Sequence, residues 1–584
     1  MRVYKKLFSY LPTKKYYAWL AVLFSSCSVF LTVIGYYAIY QFLRALLLIK
    51  SDQLAQSYAM ATAILLTAGA LFYIFSGLFS HILGFRLETN LRKKGIEGLT
   101  QASFRFFDLH SSGAIRKTID DNAAKTHQSI AHLIPDSAQA IGIPICAIVL
   151  GFFISIKLGA ALLLWLFIGV YLLKKMMGNT AFIQHYQESL ATLSAETVEY
   201  VRGIQVVKIF GANVLSFKAL NQAITNYANY AYRYSLSCKT PFVLFQWVFF
   251  IGVVLLGFPF FFLINPIPTP ELLAVDLLMF LFLSGTMFVS FMRVMHVNMY
   301  LFEANYAVET LETLYLDMQQ DELVYGNETT LHHVAIEFSD VTFSYKEEPI
   351  LKDFNLFLEE KKSYALVGSS GSGKSTLAKL ISGFYKVDKG QLKIGDKPIH
   401  AYTKETLTQA ISFVFQQSKL FNQSIYENVL LANPQASREQ VMEALKLASC
   451  DSILAKLPQR EKTVIGSKGV YLSGGETQRI AIARAILKDA RLVIMDEASA
   501  AIDPDNEYEL QKAFQNLMKH KTVIMIAHRL SSIQAVDEIL VLSEGKVVER
   551  GSHAQLIAKP QIYRQLIETY YAANDWRIHY ENSL

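Results

Sequence analysis

Charge is scarce in this chain. Of 584 residues only 18 % are Asp, Glu, Lys or Arg, against 52 % hydrophobic and 13 % aromatic. That balance is unusual for a protein that is soluble throughout its length. Cysteine is equally sparse. Cys27, Cys146, Cys238 and Cys450 are the whole set, and no pair has metal-ligand spacing. Free thiols are expected, not a disulfide framework. No basic stripe with interleaved aromatics occurs, so the net charge of +6 does not point to nucleic acid. The N-terminal apolar run is too long for a signal peptide and has no clear small-residue cleavage site.

The apolar residues are unevenly placed. They crowd the chain before residue 300, whereas the sequence beyond about residue 335 reads as an α/β domain. Six apolar runs, roughly 16–43, 57–84, 137–156, 158–177, 241–264 and 272–297, have the length a bilayer requires, about 20 residues. The division between the third and fourth rests on Lys157 alone. Basic residues collect in alternate connections. Arg2, Lys5, Lys6, Lys14 and Lys15 precede the first run. Arg86, Arg92, Lys93, Lys94, Arg105, Arg116, Lys117 and Lys125 lie between the second and third. Lys174, Lys175, Arg202, Lys208, Lys218, Arg233 and Lys239 lie between the fourth and fifth. The positive-inside rule places both termini and everything after the sixth run in the cytoplasm. The two long basic connections have helical patterning and few turn signals, so helices are expected to leave the membrane and turn back.

Ionisable residues near the spans are candidates for a transport site: Arg44, His81, Arg293, His296 and Glu303. Arg293, His296, Tyr300 and Glu303 are spaced for one helix face. The competing reading is that such side chains, close to span ends, reach for the interface.

The strongest motif is Gly368-Ser369-Ser370-Gly371-Ser372-Gly373-Lys374-Ser375. It follows the apolar segment Tyr364–Val367 and opens a helical stretch beginning at Thr376. Strand, glycine loop and helix N-terminus make a phosphate cradle of backbone N–H groups. Lys374 is placed to contact β- and γ-phosphates and Ser375 to ligate Mg²⁺. In isolation the run could be a flexible Gly/Ser loop, but further motifs argue against that. Leu492–Met495 leads into Asp496 and Glu497. Asp496 suits Mg²⁺ and Glu497 the attacking water, and a helix N-terminal charge pair is the alternative. Leu472-Ser473-Gly474-Gly475-Glu476 precedes a helical stretch and forms a second anion site. His528 follows the apolar run Thr522–Ala527, and Gln416 follows a short strand. Tyr345 ends Val341–Tyr345, where its ring can stack on adenine or simply pack in the core.

In this order the motifs resemble the ABC transporter superfamily in its exporter-fold, half-transporter form. The resemblance covers nearly the whole chain. It implies an aromatic A-loop at Tyr345, Walker A from Gly368 to Ser375 with Thr376 beside it, and a Q-loop at Gln416. It also implies a signature at Ser473–Glu476, Walker B at Asp496 with catalytic Glu497, a D-loop ending at Asp503, and a switch histidine at His528. On this resemblance Glu497, His528 and Gln416 are catalytic. Ser375, Gln416 and Asp496 hold the metal, and ATP and Mg²⁺ are the cofactors. Phe106-Phe107-Asp108 with Gly113, and Glu199, Gly203 and Val206–Phe210, resemble the family's two coupling loops. The expected fold is a multidomain membrane protein. It has an all-α six-helix transmembrane domain (1–320), a linker (321–335), an α/β P-loop ATPase domain (336–570) and a tail (571–584). The family completes each ATP site from two domains, so a second half-transporter, identical or sister, is the expected partner. Membrane lipids and a small-molecule cargo are the others. The cytoplasmic membrane is the expected location.

Three positions depart from the family pattern: Glu476 for the commoner Gln, Ala500 for Ser, and Ser467 for the Glu that often touches a coupling helix. Ala131–Asp136 and Asp503–Glu507 resemble the branch that imports ferric siderophores. Import of a siderophore and export of a lipid, peptide or drug-like compound both stand on the sequence. An ATP-gated channel or regulatory ATPase is a third reading, with no long insertion to favour it.

Overall fold

The structure, a computed structural model, describes residues 2–11, 13–176, 180–209, 217–264, 269–320, 323–345, 348–416, 418–466, 469–496, 504–526, 534 and 536–581. It forms two compact units. One comprises Met1–Glu97 with Gly113–Tyr315, the other Gly98–Ser112 with Leu316–Leu584.

The first unit is helical. In chain order the helices are α1 (Arg2–Ser9), α2 (Tyr16–Arg44, prolonged by a π-helical turn Ala45–Ile49) and α3 (Asp52–Gln101). After α4 (Phe104–Leu109), which belongs to the second unit, come α5 (Ser112–Ile154), α6 (Ile156–Met176), α7 (Thr180–Arg202) and α8 (Ile204–Ile209). They are followed by α9 (Lys218–Trp247), a π-helical turn (Val248–Gly252), α10 (Val253–Ile264) and α11 (Pro270–Gln320). Six helical stretches among the described residues are long and apolar enough to cross a membrane: Tyr16–Ile49, Asp52–Gln101, Ser112–Ile154, Ile156–Met176, Lys218–Gly257 and Pro270–Gln320. Each overlaps one of the six expected runs; several extend well beyond it, and the fifth ends at Gly257, short of the expected 264. α5 and α6 meet at Ser155, two residues before Lys157.

Large apolar side chains such as Trp19 and Phe153 are exposed on these helices, as hydrocarbon-facing surfaces require. With apolar groups on both sides, helix association falls to close packing and hydrogen bonds between helices. Four buried serines serve this purpose. Ser25 donates to Pro135 O (3.0 Å), Ser28 to Gly69 O (2.7 Å), Ser76 to Ala21 O (2.6 Å) and Ser80 to Ile130 O (2.8 Å). Each bond ties α2 to α3 or one of them to α5.

The second unit contains β1 (Ile336–Ser344), β2 (Pro349–Leu358), β3 (Ser363–Val367), α12 (Lys374–Ile381), β4 (Lys389–Ile394) and β5 (Lys397–Pro398). Next come α13 (Lys404–Ala410), β6 (Ile411–Val414), α14 (Ile425–Leu430), α15 (Arg438–Leu447), α16 (Asp451–Ala455) and α17 (Gly474–Lys488). β7 (Leu492–Asp496), α18 (Pro504–Met518), β8 (Thr522–Ile526), β9 (Glu538–Ser543) and β10 (Lys546–Gly551) complete the sheets, with α19 (His553–Ile557) and α20 (Ile562–Glu581) last. The order β2-β1-β4-β5 makes a small antiparallel sheet, and β10-β9-β3-β8-β7-β6 a larger one. In the larger sheet β9, β3, β8, β7 and β6 run parallel. Its strands are buried on both faces, which is why they read as unbroken apolar runs. Ala365, Val493, Met495, Val523 and Val541 face one core. Leu366, Leu492, Ile494, Ile524 and Leu540 face the other.

Candidate functional site: a nucleotide site at one edge of the parallel sheet

β3 pairs with β8 and β9, and its C-terminal end opens into the loop Gly368–Gly373, which leads directly into α12. Gly368 (φ +151°) lies so close to β9 that a Cβ there would stand 2.2 Å from Leu542 O. Gly373 has φ +100°, a region that side chains other than glycine's rarely adopt. Ser369, Ser370, Gly371 and Ser375 are exposed, while Ser372 and Thr376 are buried. Lys374 is only 7 % exposed. Its ammonium donates to Gly368 O (2.9 Å) and Ser369 O (2.7 Å), so the loop curls around it. Burial pushes this amine below the ordinary lysine range, and the negative charge of Asp496 opposes the shift.

The neighbouring strands end at the same edge. Leu366 and Asp496 are both in register with Ile526, and Val414 is in register with Met495. Asp496 closes β7, and Gln416 is exposed two residues beyond β6. The edge thus offers a lysine ammonium and a helix N-terminus, together with hydroxyl, carboxylate and amide oxygens from Ser375, Asp496 and Gln416. The first pair suits phosphate, and the oxygens are the donors that hard divalent cations take. Glu497, Asp503 and His528 lie outside the described residues, as do Ser467 and Ala500.

Tyr345 follows β1 and is half-buried. Its ring meets Phe343 and Tyr385 edge-on, with centroids 5.2 and 5.9 Å away. Two residues of α12 reach it. Thr376 Oγ1 lies 3.4 Å from its hydroxyl, and Lys379 Nζ lies 5.8 Å from its ring centroid. The aromatic and the phosphate loop are therefore neighbours.

Ser473 caps α17. Its hydroxyl accepts from Glu476 N (3.3 Å), and the Glu476 carboxylate accepts from Ser473 N (2.9 Å), a reciprocal capping box. Glutamate and glutamine serve equally at that position, which gives the Glu476 departure a physical basis. Among the described residues no hydrogen bond or ion pair joins Ser473–Glu476 to the phosphate loop.

The sequence reading missed several residues around α4, which sits with the ATPase sheet in the second unit. The Phe104 ring packs against that of Phe384, tilted by 30° with centroids 4.2 Å apart, and the Phe104 N–H donates to Phe384 O. Arg105 reaches Tyr345 O (3.4 Å) and Asp388 (3.3 Å). Asp108 accepts from Tyr385 and lies 3.4 Å from Lys379. Burial, then that carboxylate, push the Tyr385 phenol above the usual tyrosine range. Arg105, adjoining the Phe106-Phe107-Asp108 motif, was the available signal. In the first unit Arg293 and Tyr300 gather with Tyr73 and His132, and His81 lies against His132. His296 and Arg44 are exposed instead.

Fold and site together define an α/β unit with a phosphate-binding loop, in one chain with a helical unit of six candidate membrane spans. Comparison with known proteins narrows this. The family model described as ABC transporter transmembrane region matches residues 18–291, and the one described as ABC transporter matches residues 351–500. The mycobactin import ATP-binding/permease protein IrtA of Mycolicibacterium smegmatis is 32 % identical over 84 % of this chain, which spans 57 % of that protein's length. The ATP-dependent lipid A-core flippase of Pectobacterium atrosepticum is 31 % identical over 86 % of both chains. A bacterial Atm1-family ABC exporter solved with ATP bound superposes with a TM-score of 0.76 at 25 % identity, covering 95 % of this chain and 97 % of that one. The chain belongs to the ABC transporter family, as a half-transporter with the exporter fold.

Proposed function

We propose that two such chains, identical or sister, set their ATPase units head to tail. Each ATP then lies between the Gly368–Thr376 loop and Tyr345 of one chain and Ser473–Glu476 of the other. The observation that carries this reading is that, among the described residues, no hydrogen bond or ion pair joins the capped α17 N-terminus to the phosphate loop of the same chain. Each half supplies one part of the site and needs the complementary part. Glu497 polarises the attacking water, Gln416 and His528 attend the γ-phosphate, and Asp503 contacts the opposite site. Ser375, Asp496 and Gln416 hold Mg²⁺, which when bound neutralises phosphate charge. The basic loops hold both termini in the cytoplasm, with the spans in the inner membrane among its lipids.

For cargo, the proposal is import of a ferric siderophore, supported by 32 % identity to a mycobactin importer over 84 % of the chain. Export of a lipid, peptide or drug-like compound is the second reading, favoured by the flippase that matches along 86 % of both chains. Uptake of radiolabelled ferric siderophore by iron-starved cells separates the two. Import requires that Glu497→Gln, at normal protein level, abolish uptake. Unchanged uptake in a strain without a second importer sinks import and leaves export.

A further inference from the structure

A guanidinium inside a membrane bundle is costly to keep and almost always paired. Arg293 has no carboxylate partner among the described residues. Its Nη1 donates to the neutral Gln139 Oε1 at 3.0 Å, and its guanidinium carbon lies 5.7 Å from the Tyr73 ring centroid. The nearby carboxylate of Asp136 is engaged elsewhere, accepting from the Tyr73 hydroxyl at 2.6 Å. The Nε and Nη2 donors of Arg293 therefore make no hydrogen bond to the described residues.

The fork is held rigidly. Ser28 donates to Gly69 O (2.7 Å), and Gln139 Nε2 donates to Ser28 Oγ (2.9 Å). With its amide nitrogen so committed, Gln139 must present its oxygen to Arg293. Gln139 is 4 % and Ser28 1 % exposed, so this relay through α3, α2, α5 and α11 is buried and fixed. On the other side Tyr73, locked by Asp136, supports the guanidinium face. Further along, the rings of His132 and Tyr300 stack at 5.6 Å. The imidazoles form no metal-ligating group among the described residues. Arg293 lies roughly 30 Å of helix rise from Leu272 at the other end of the apolar stretch, in the cytoplasmic half on the proposed topology.

We propose that Arg293 is an oxyanion-binding residue of the membrane unit. It takes a carboxylate or phosphate on an amphiphilic molecule whose apolar or aromatic body lies along Tyr73, His132 and Tyr300. An unpaired, pre-oriented fork is the geometry that bidentate oxyanion recognition uses. The proposal rests on the transport reading only for the identity of the molecule, either cargo or an inner-leaflet lipid.

The test uses the full chain in phosphatidylcholine nanodiscs without ATP, with dodecyl phosphate as the probe and calorimetric titration as the readout. Wild type binds it at least about tenfold more tightly than Arg293→Gln, the worth of a charge-assisted hydrogen bond. Gln139→Glu keeps Arg293 but gives it a carboxylate, so it must also lose the probe, while a purely structural arginine would be unaffected or better held. Equal affinity in wild type and both variants overturns the proposal, as does undiminished binding by Gln139→Glu if Arg293→Gln fails to fold. Adding phosphatidylglycerol to the nanodiscs separates the sources. Competition in wild type identifies a lipid headgroup, and no competition identifies cargo. Because no ATP is present, failure here leaves the uptake test of Glu497→Gln untouched.

Discussion

Replacing Tyr345 decides between adenine stacking and ordinary core packing. The ring is half-buried against Phe343 and Tyr385 and lies beside α12. Stacking of a base on an aromatic is worth about 1–3 kcal/mol, so Tyr345→Ala raises the ATP dissociation constant by about 5- to 150-fold. Tyr345→Phe keeps the ring and removes only a hydroxyl. Thr376 Oγ1 donates to that hydroxyl at 3.4 Å, long for an O–H···O bond. The Phe variant is expected to bind ATP within about twofold of wild type, since a bond that long contributes little of the usual worth. The assay is equilibrium binding of a fluorescent ATP analogue to the purified full chain, with thermal unfolding measured alongside. If Ala lowers the unfolding temperature and leaves ATP affinity unchanged, the ring is core and the reasoning fails. Equal losses in Phe and Ala also refute it, because then the hydroxyl carries the effect.

Three further outcomes follow from particular contacts. Glu476→Gln preserves the capping box on α17 and leaves stability unchanged, whereas Glu476→Ala loses it at a cost of about 1 kcal/mol. Calorimetric unfolding that showed equal losses for both would remove the explanation of this departure. Gly368→Ala forces a Cβ to within 2.2 Å of Leu542 O and is expected to abolish ATP binding, and filter binding at the wild-type level would contradict the loop geometry. Asp537 accepts from Ser363 N (2.8 Å) and Oγ (2.7 Å), and these bonds hold its carboxyl below the usual range. A depressed folded-state value means that its stabilisation is complete above the ordinary value, about 3.9, and is lost as pH falls through the folded one. Denaturant titrations at descending pH should show this acid segment in wild type and not in Asp537→Asn.

How much of this was legible in the sequence depends on how far apart the cooperating residues lie. Strands β3, β7 and β8 were readable because parallel strands covered on both faces need short, unbroken apolar runs. The phosphate loop was readable because its glycines, lysine and hydroxyl are consecutive. The six spans were readable from length and lack of charge. Glu497, Asp503 and His528 were read from the same motifs and lie outside the described residues. The coupling-loop motif around α4 was readable, but the partners that anchor it were not. Asp108 and Tyr385 stand 277 positions apart and Arg105 and Tyr345 stand 240 apart. A lone arginine in a basic loop carries the same local signal whether it is solvated or holds a carbonyl.

The membrane cluster shows the limit most clearly. The spacing of Arg293, His296, Tyr300 and Glu303 places them on one side of α11, within an arc of about 80° at 3.6 residues per turn. The structure uses one part of that arc. Arg293 and Tyr300 meet Gln139, Tyr73 and His132, while His296 is exposed. The residues that orient Arg293 are neutral, so a search for charged residues in apolar runs passes over them. Gln139 lies 154 positions from its arginine and Ser28 a further 111 from Gln139. What distinguishes Arg293 from a span-end arginine reaching for the interface is this buried relay. It commits one edge of the guanidinium and leaves the rest of its donors for an anion.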